Sequence, residues 1–233
     1  MNKLIVLNHK NNLLYDDLYP YIENTNNINT NNNIIICPSN IYLESFINNS
    51  NWAIGAQNLN HNLDSNHTGE ISTLQLKSLG VEYTIIGHSE RVSEFQEDEH
   101  LINLKLKAAL DSNIIPILCL GEDKEAEFTK TIAKQLETYL KDIDHLEFVI
   151  LAYEPVYAIG NKAIDSYVLE ERLDYITKLI TDKYHEKPTI IYGGGVNKDN
   201  IKEIMNLDNI SGVMIGAEST TCENIKEIVN NLG

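Results

Sequence analysis

Three residue types that could together move a proton beside a carbonyl each sit just past a short apolar run. Lys10 follows the run at 4–7, His88 the run at 83–86 and Glu154 the run at 148–152. A carboxylate can act as general base, an imidazole can donate to a developing oxyanion, and an ammonium can supply fixed positive charge. Two glycine-bearing turns occupy equivalent places, Gly193-Gly194-Gly195-Val196 and Gly216-Ala217-Glu218-Ser219. Backbone N–H groups in such turns, or at a short helix N-terminus, can cradle a phosphate dianion. Taken singly, each feature has a plain structural reading: a solvated lysine, a capping histidine, a loop acid, ordinary turn glycines. At matching strand ends they form a base, an electrophile, a cation and an anion nest. That is the set needed for proton transfer next to a carbonyl on a phosphorylated substrate.

The elements that must hold these groups are eight apolar runs, at 4–7, 34–37, 52–56, 83–86, 114–120, 148–152, 189–192 and 212–215. They are rich in Ile and Val and mostly continuous rather than alternating, which suits a parallel sheet covered by helices. Segments of helical period lie between them. Residues 98–110 put Leu101, Leu104 and Ala108 on one face; 126–140 do so with Phe128, Ile132, Leu136 and Leu140, and 168–184 with Leu169, Leu173, Ile176 and Ile180. Strands alternating with helices predict an α/β protein of βαβ units. Eight such units within 233 residues predict a (β/α)8 barrel, one domain spanning residues 1–233. An open doubly wound sheet is the alternative, because periodicity does not reveal closure. In either case the site lies beyond the carboxyl ends of the strands, where Asn8, Gln57, Asn58, Ser89, Glu90, Cys119, Gly160 and Tyr192 also fall.

Composition narrows the function classes. With 18 Lys+Arg against 34 Asp+Glu the net charge is −16, which argues against nucleic acid as a partner. No apolar run approaches the ~20 residues of a membrane span. The opening Met1-Asn2-Lys3-Leu4 reads as the approach to a strand rather than a signal peptide. Cys37, Cys119 and Cys222 are odd in number and show no C-x-x-C spacing, so a reducing, cytoplasmic setting is expected. The histidines have no metal-ligand spacing, and no metal site is predicted. Asn is concentrated near the start, 19 in the first 66 residues, but apolar segments interrupt every cluster, which argues against a disordered tract.

Two stretches are distinctive as wholes: Ile85-Ile86-Gly87-His88-Ser89-Glu90-Arg91 and Ala152-Tyr153-Glu154-Pro155-Val156-Tyr157-Ala158-Ile159-Gly160. With Asn8-x-Lys10, Ala56-Gln57-Asn58, Thr68-Gly69-Glu70 and Tyr192-Gly193-Gly194, in this order and spacing, the chain resembles the triosephosphate isomerase family over essentially its whole length. The resemblance implies a cofactor-free isomerase that interconverts dihydroxyacetone phosphate and D-glyceraldehyde 3-phosphate in glycolysis and gluconeogenesis. It implies Glu154 as the base at carbon, His88 as a neutral imidazole kept so by a helix N-terminus, and Lys10 as the cation beside the phosphate; this acid–base arrangement is the family's established one. Asn8, Gly160, Gly193, Gly194, Gly195, Gly216 and Ala217 would surround the substrate. Glu90 would pair with Lys10 or relay protons, Ser89 would hold the resting Glu154, and Cys119 and Tyr192 would support the site. Residues 155–163 match a water-excluding lid. Loop 61–69, with Thr68, matches one that enters a second subunit, with Gln57 and Asn58 at the same contact, and implies a homodimer.

The sequence also departs from that family. His9 and Tyr157 stand where tryptophan is usual. The lid, Gly160-Asn161-Lys162, is one residue short; Gly195 replaces a serine that latches the closed lid; Ala217 and Glu218 alter the turn after the last strand. An alanine there is harmless if its φ is negative and costly otherwise. These changes keep an inactive, phosphate-binding relative open as the alternative.

Overall fold

In the computed structural model, which describes residues 2–62 and 66–232, each apolar run forms a short strand. They are β1 (Leu4–Asn8), β2 (Asn33–Cys37), β3 (Ala53–Ala56), β4 (Tyr83–Ile86), β5 (Ile115–Leu120), β6 (Ile150–Tyr153), β7 (Thr189–Gly193) and β8 (Gly212–Ile215). Every neighbouring pair is parallel, and β8 returns to β1 with Leu4 opposite Gly212, so the sheet closes into a barrel. Closure removes the open doubly wound alternative. Around it run α1 (Tyr15–Asn26), α2 (Leu43–Asn49), α3 (Thr73–Leu79), α4 (Ser89–Phe95), α5 (Glu99–Asp111), α6 (Phe128–Tyr139), α7 (Ser166–Tyr184), α8 (Ile201–Met205) and α9 (Cys222–Asn230). Among the described residues no helix is long and apolar enough to cross a membrane.

The strands read as continuous apolar runs because both faces are buried. Val6, Ile35, Ile85, Ile117, Ile191 and Met214 point into the barrel. Their neighbours Ile5, Leu7, Ile34, Ile36 and Leu151 pack outward against helical residues such as Leu169, Leu173, Ile176 and Ile180. Two layers of core thus share one sheet, and the carboxyl rim is left as the place for loops.

Three expectations need correction. Trp52 lies outside β3, its Nε1 donating to Thr25 O at 3.1 Å. Residues 146–148 form a 3-10 turn with Phe148 exposed, so β6 starts at Ile150. The buried face of α5 is not Leu101–Leu104–Ala108: Leu101 and Leu104 are only partly buried, whereas Ile102, Leu106 and Ala109 are fully buried. Rotation of the helix by about one residue is tolerated because its polar residues find partners inside. Lys105 Nζ meets Glu97 Oε1 at 2.5 Å and Asn58 Oδ1 at 2.7 Å, and Asn103 Nδ2 donates to the Tyr139 and Lys141 carbonyls at 2.7 and 2.9 Å. In loop 61–69, Leu63, Asp64 and Ser65 lie outside the described residues, while Thr68 is exposed.

Candidate active site

Lys10 leaves β1 with φ of 51°, an uncommon conformation for a residue with a side chain, and its surroundings over-determine it. Its N–H donates to Asn8 Oδ1 at 3.2 Å, and its carbonyl accepts from Gln57 Nε2 at 2.7 Å. Gln57 Nε2 also donates to Cys37 O at 3.0 Å, tying the ends of β1, β2 and β3 together. Within the chain, Gln57 thus holds the Lys10 carbonyl, and Asn58 Oδ1 accepts from Lys105 Nζ. The Lys10 ammonium forms an ion pair with Glu90, as expected.

His88 is the residue before α4, and its Nδ1 accepts the Glu90 backbone N–H at 3.3 Å. An Nδ1 that accepts this bond leaves Nε2 as the ring's donor. That Nε2 lies 3.8 Å from Glu154 Oε2. His88 and Glu154 are both buried, and Glu154 Oε2 has no hydrogen-bond partner among the described residues. Burial raises the Glu154 carboxyl above the usual range, opposed by His88, by a hydrogen bond from the Cys119 thiol and by Lys10. Glu154 is therefore a weakly solvated carboxyl group of raised basicity, with one oxygen free of partners among the described residues. Ser89, expected to hold it, makes no hydrogen bond to it among the described residues. Gly193 is required by the same side chain: a β-carbon there would sit 2.5 Å from Glu154 Oε1 and 2.8 Å from its Cγ.

Asn8, Lys10, His88 and Glu154 line a cavity of about 340 Å³ whose far wall is Gly160, Gly194, Gly195, Gly216 and Ala217. Gly216 opens the 3-10 turn Ala217–Thr220, whose first N–H groups have no partner within the turn. Ala217 is not among the residues with positive φ, so the methyl costs no backbone strain. Glu218 turns its Oε2 to Asn224 Nδ2 at 2.7 Å.

Over this cavity, residues 155–163 run through the turn Val156–Ala158 and then Gly160, whose φ is 69°. Tyr192 Oη accepts the Ile164 N–H at 3.2 Å, which latches the far end of this segment to β7. Gly195, with φ of 59°, lies under the lid: a β-carbon there would sit 2.5 Å from Ala163 N and 2.8 Å from the Lys162 carbonyl carbon.

A family model described as triosephosphate isomerase matches residues 3–232. The triosephosphate isomerase of Ehrlichia chaffeensis is 36% identical, with 98% of this chain and 96% of that protein covered. That of Alkaliphilus oremlandii is 38% identical over 84% of this chain and 85% of its own. One from Dehalococcoides mccartyi is 40% identical over 83% and 81%. The chain belongs to the triosephosphate isomerase family.

Triosephosphate isomerase thus frames the residues that sequence reading passed over. Behind the lid's first half, buried Glu122 is ion-paired with Arg172, and Arg172 Nη1 also donates to Tyr157 Oη at 2.8 Å. Tyr153 Oη donates to Glu122 Oε2 at 3.2 Å and Tyr157 Oη to Oε1 at 3.4 Å. Burial raises the Glu122 carboxyl, against the pull of Arg172. The Tyr157 hydroxyl so anchors the lid's near hinge to β5, β6 and α7. Glu122 and Arg172 are 50 positions apart, and neither carries a local signal of the pairing.

Proposed function

We propose that the chain catalyses the interconversion of dihydroxyacetone phosphate and D-glyceraldehyde 3-phosphate, the isomerase step of glycolysis and gluconeogenesis. The observation that carries this reading is a buried Glu154 Oε2 with no hydrogen-bond partner among the described residues, 3.8 Å from His88 Nε2 on the wall of one cavity. Glu154 takes the proton from the carbon beside the carbonyl. His88 donates to the carbonyl oxygen as it becomes an enediolate oxygen and moves the proton of the neighbouring hydroxyl across to it, so that proton return to the adjacent carbon leaves the new carbonyl and gives the other triose. No redox change or group transfer is needed. Lys10 offsets the developing negative charge and, with the turns at Gly194–Gly195 and Gly216–Ala217, receives the phosphate. Asn8 holds Lys10 in place. The lid excludes water, which protects the enediolate from losing phosphate. A coupled assay of D-glyceraldehyde 3-phosphate conversion tests the reading, and no turnover by folded protein would overturn it in favour of a phosphate-binding relative.

The same reading makes the chain a cytoplasmic homodimer. Loop 61–69 is long and polar, with no helical period in its sequence, which fits a segment ordered by a second subunit. Thr68 is exposed at its end, and Leu14, Tyr15, Val92 and Phe95 expose large apolar side chains on segments that follow β1 and β4. Light scattering tests this: a fully active monomer at micromolar concentration would refute it.

A further inference from the structure

His9, between Asn8 and Lys10, is fully buried and stands edge-on to the Tyr21 ring with centroids 4.8 Å apart. Its Nε2 lies 2.9 Å from Tyr21 Oη, and Tyr21 Oη donates to the Ser219 carbonyl at 2.7 Å. A hydroxyl has one hydrogen, so Tyr21 accepts from His9, and Nε2 must carry the ring's proton. His9 Nδ1 is then a lone acceptor, and it is buried with no partner among the described residues. Burial holds the ring's pKa down to about 4, so it stays neutral where the enzyme works.

The chain of bonds runs on into the turn that lines the cavity with Lys10. Ser219 N–H donates to Gly216 O at 2.8 Å, and Gly216 and Lys10 both line that cavity. The path His9–Tyr21–Ser219–Gly216 thus leads from the residue before Lys10 to the turn on the cavity wall. A histidine with an unpaired buried nitrogen is a poor choice for stability alone. Its useful feature is the donor that fixes the Tyr21 hydroxyl.

We propose that His9 is a positioning residue for the phosphate end of the substrate: through Tyr21 it sets where the turn Ala217–Thr220 stands relative to Lys10. The role rests on that turn and Lys10 receiving the phosphate. The test uses orthophosphate as competitive inhibitor, with kcat, KM and melting temperature for wild type, His9→Phe, Tyr21→Phe and His9→Trp. Loss of one neutral hydrogen bond should raise the orthophosphate inhibition constant and KM of His9→Phe by about three- to tenfold. Its kcat should change less than KM, and its melting temperature should equal or exceed wild type because the orphan nitrogen is gone. Tyr21→Phe, which removes both bonds, should raise the two constants at least as far, and decides the matter if His9→Phe does not fold. His9→Trp keeps an N–H donor without the orphan acceptor and should move the constants back toward wild type. Inhibition constants indistinguishable from wild type in both phenylalanine variants would overturn the role. A wild type that isomerises but ignores orthophosphate would overturn the phosphate site itself, and the role with it.

Discussion

Gly195→Ser would restore the residue usual in the family, and it should harm this enzyme. Two separate costs arise. The first is backbone strain: Gly195 has φ of 59°, and a side chain in the left-handed region costs about 1–2 kcal/mol. Strain of that kind acts whether the lid is open or shut, so it appears as lost stability, roughly 2–8 °C in melting temperature for a domain of this size. The second cost exists only with the lid down. The new β-carbon would sit 2.5 Å from Ala163 N and 2.8 Å from the Lys162 carbonyl carbon, closer than real β-carbons come to backbone atoms. The backbone of residues 161–163 occupies the space a serine side chain would fill. A new hydrogen bond would return at most ~0.5–1.5 kcal/mol, less than the clash costs. A closed state weakened by ~1.4 kcal/mol is tenfold less populated. Steady-state kinetics should therefore show kcat reduced by about tenfold, with more inorganic phosphate released per turnover as water reaches the enediolate. A Gly195→Ser enzyme with unchanged melting temperature and equal or higher kcat would refute the reasoning.

Tyr192→Phe removes the remaining latch and leaves the Ile164 N–H without its acceptor, so kcat should fall by about 2- to 10-fold, more than in a relative that also holds the serine latch. Glu154→Gln should cut turnover by ~10²–10⁴-fold while substrate analogues still bind. Because burial raises the Glu154 pKa, its ionised form weakens the fold as pH rises through that value, and the substitution should raise the melting temperature at pH 7 but not in acid. For the same reason the acid limb of kcat/KM in wild type should lie above 4.5, the ordinary value for the group. Lys10→Met should weaken orthophosphate and sulfate inhibition and slow the chemistry, since it leaves Glu90 unpaired at the mouth; unchanged inhibition would remove Lys10 from the phosphate site.

Much of this architecture is written in short-range pattern. The runs at 34–37 and 189–192 became strands because Ile on both faces is buried, by the barrel interior and by the helices. The site residues follow, since a strand's last residue fixes which rim it serves. What stayed hidden depends on contacts across the chain. The α5 face was misread because Lys105 looks like a solvent-facing residue until Glu97 and Asn58 are brought to it. Helix α1 was not anticipated, as Pro20 and a run of Asn mask it, although Leu18, Tyr21 and Ile22 bury one side. The start of α3 was legible in principle, for Ser72 and Gln75 form a capping box.

The most direct test of Glu154 as the base at carbon is proton exchange in D2O, followed by NMR of dihydroxyacetone phosphate. Wild type should place deuterium at one carbon-bound position beside the carbonyl and produce glyceraldehyde 3-phosphate. Glu154→Gln, folded and still able to bind a phosphate inhibitor, should do so at least ~100-fold more slowly. Exchange by that variant at a rate close to wild type would show that another group takes the proton, and would contradict the account.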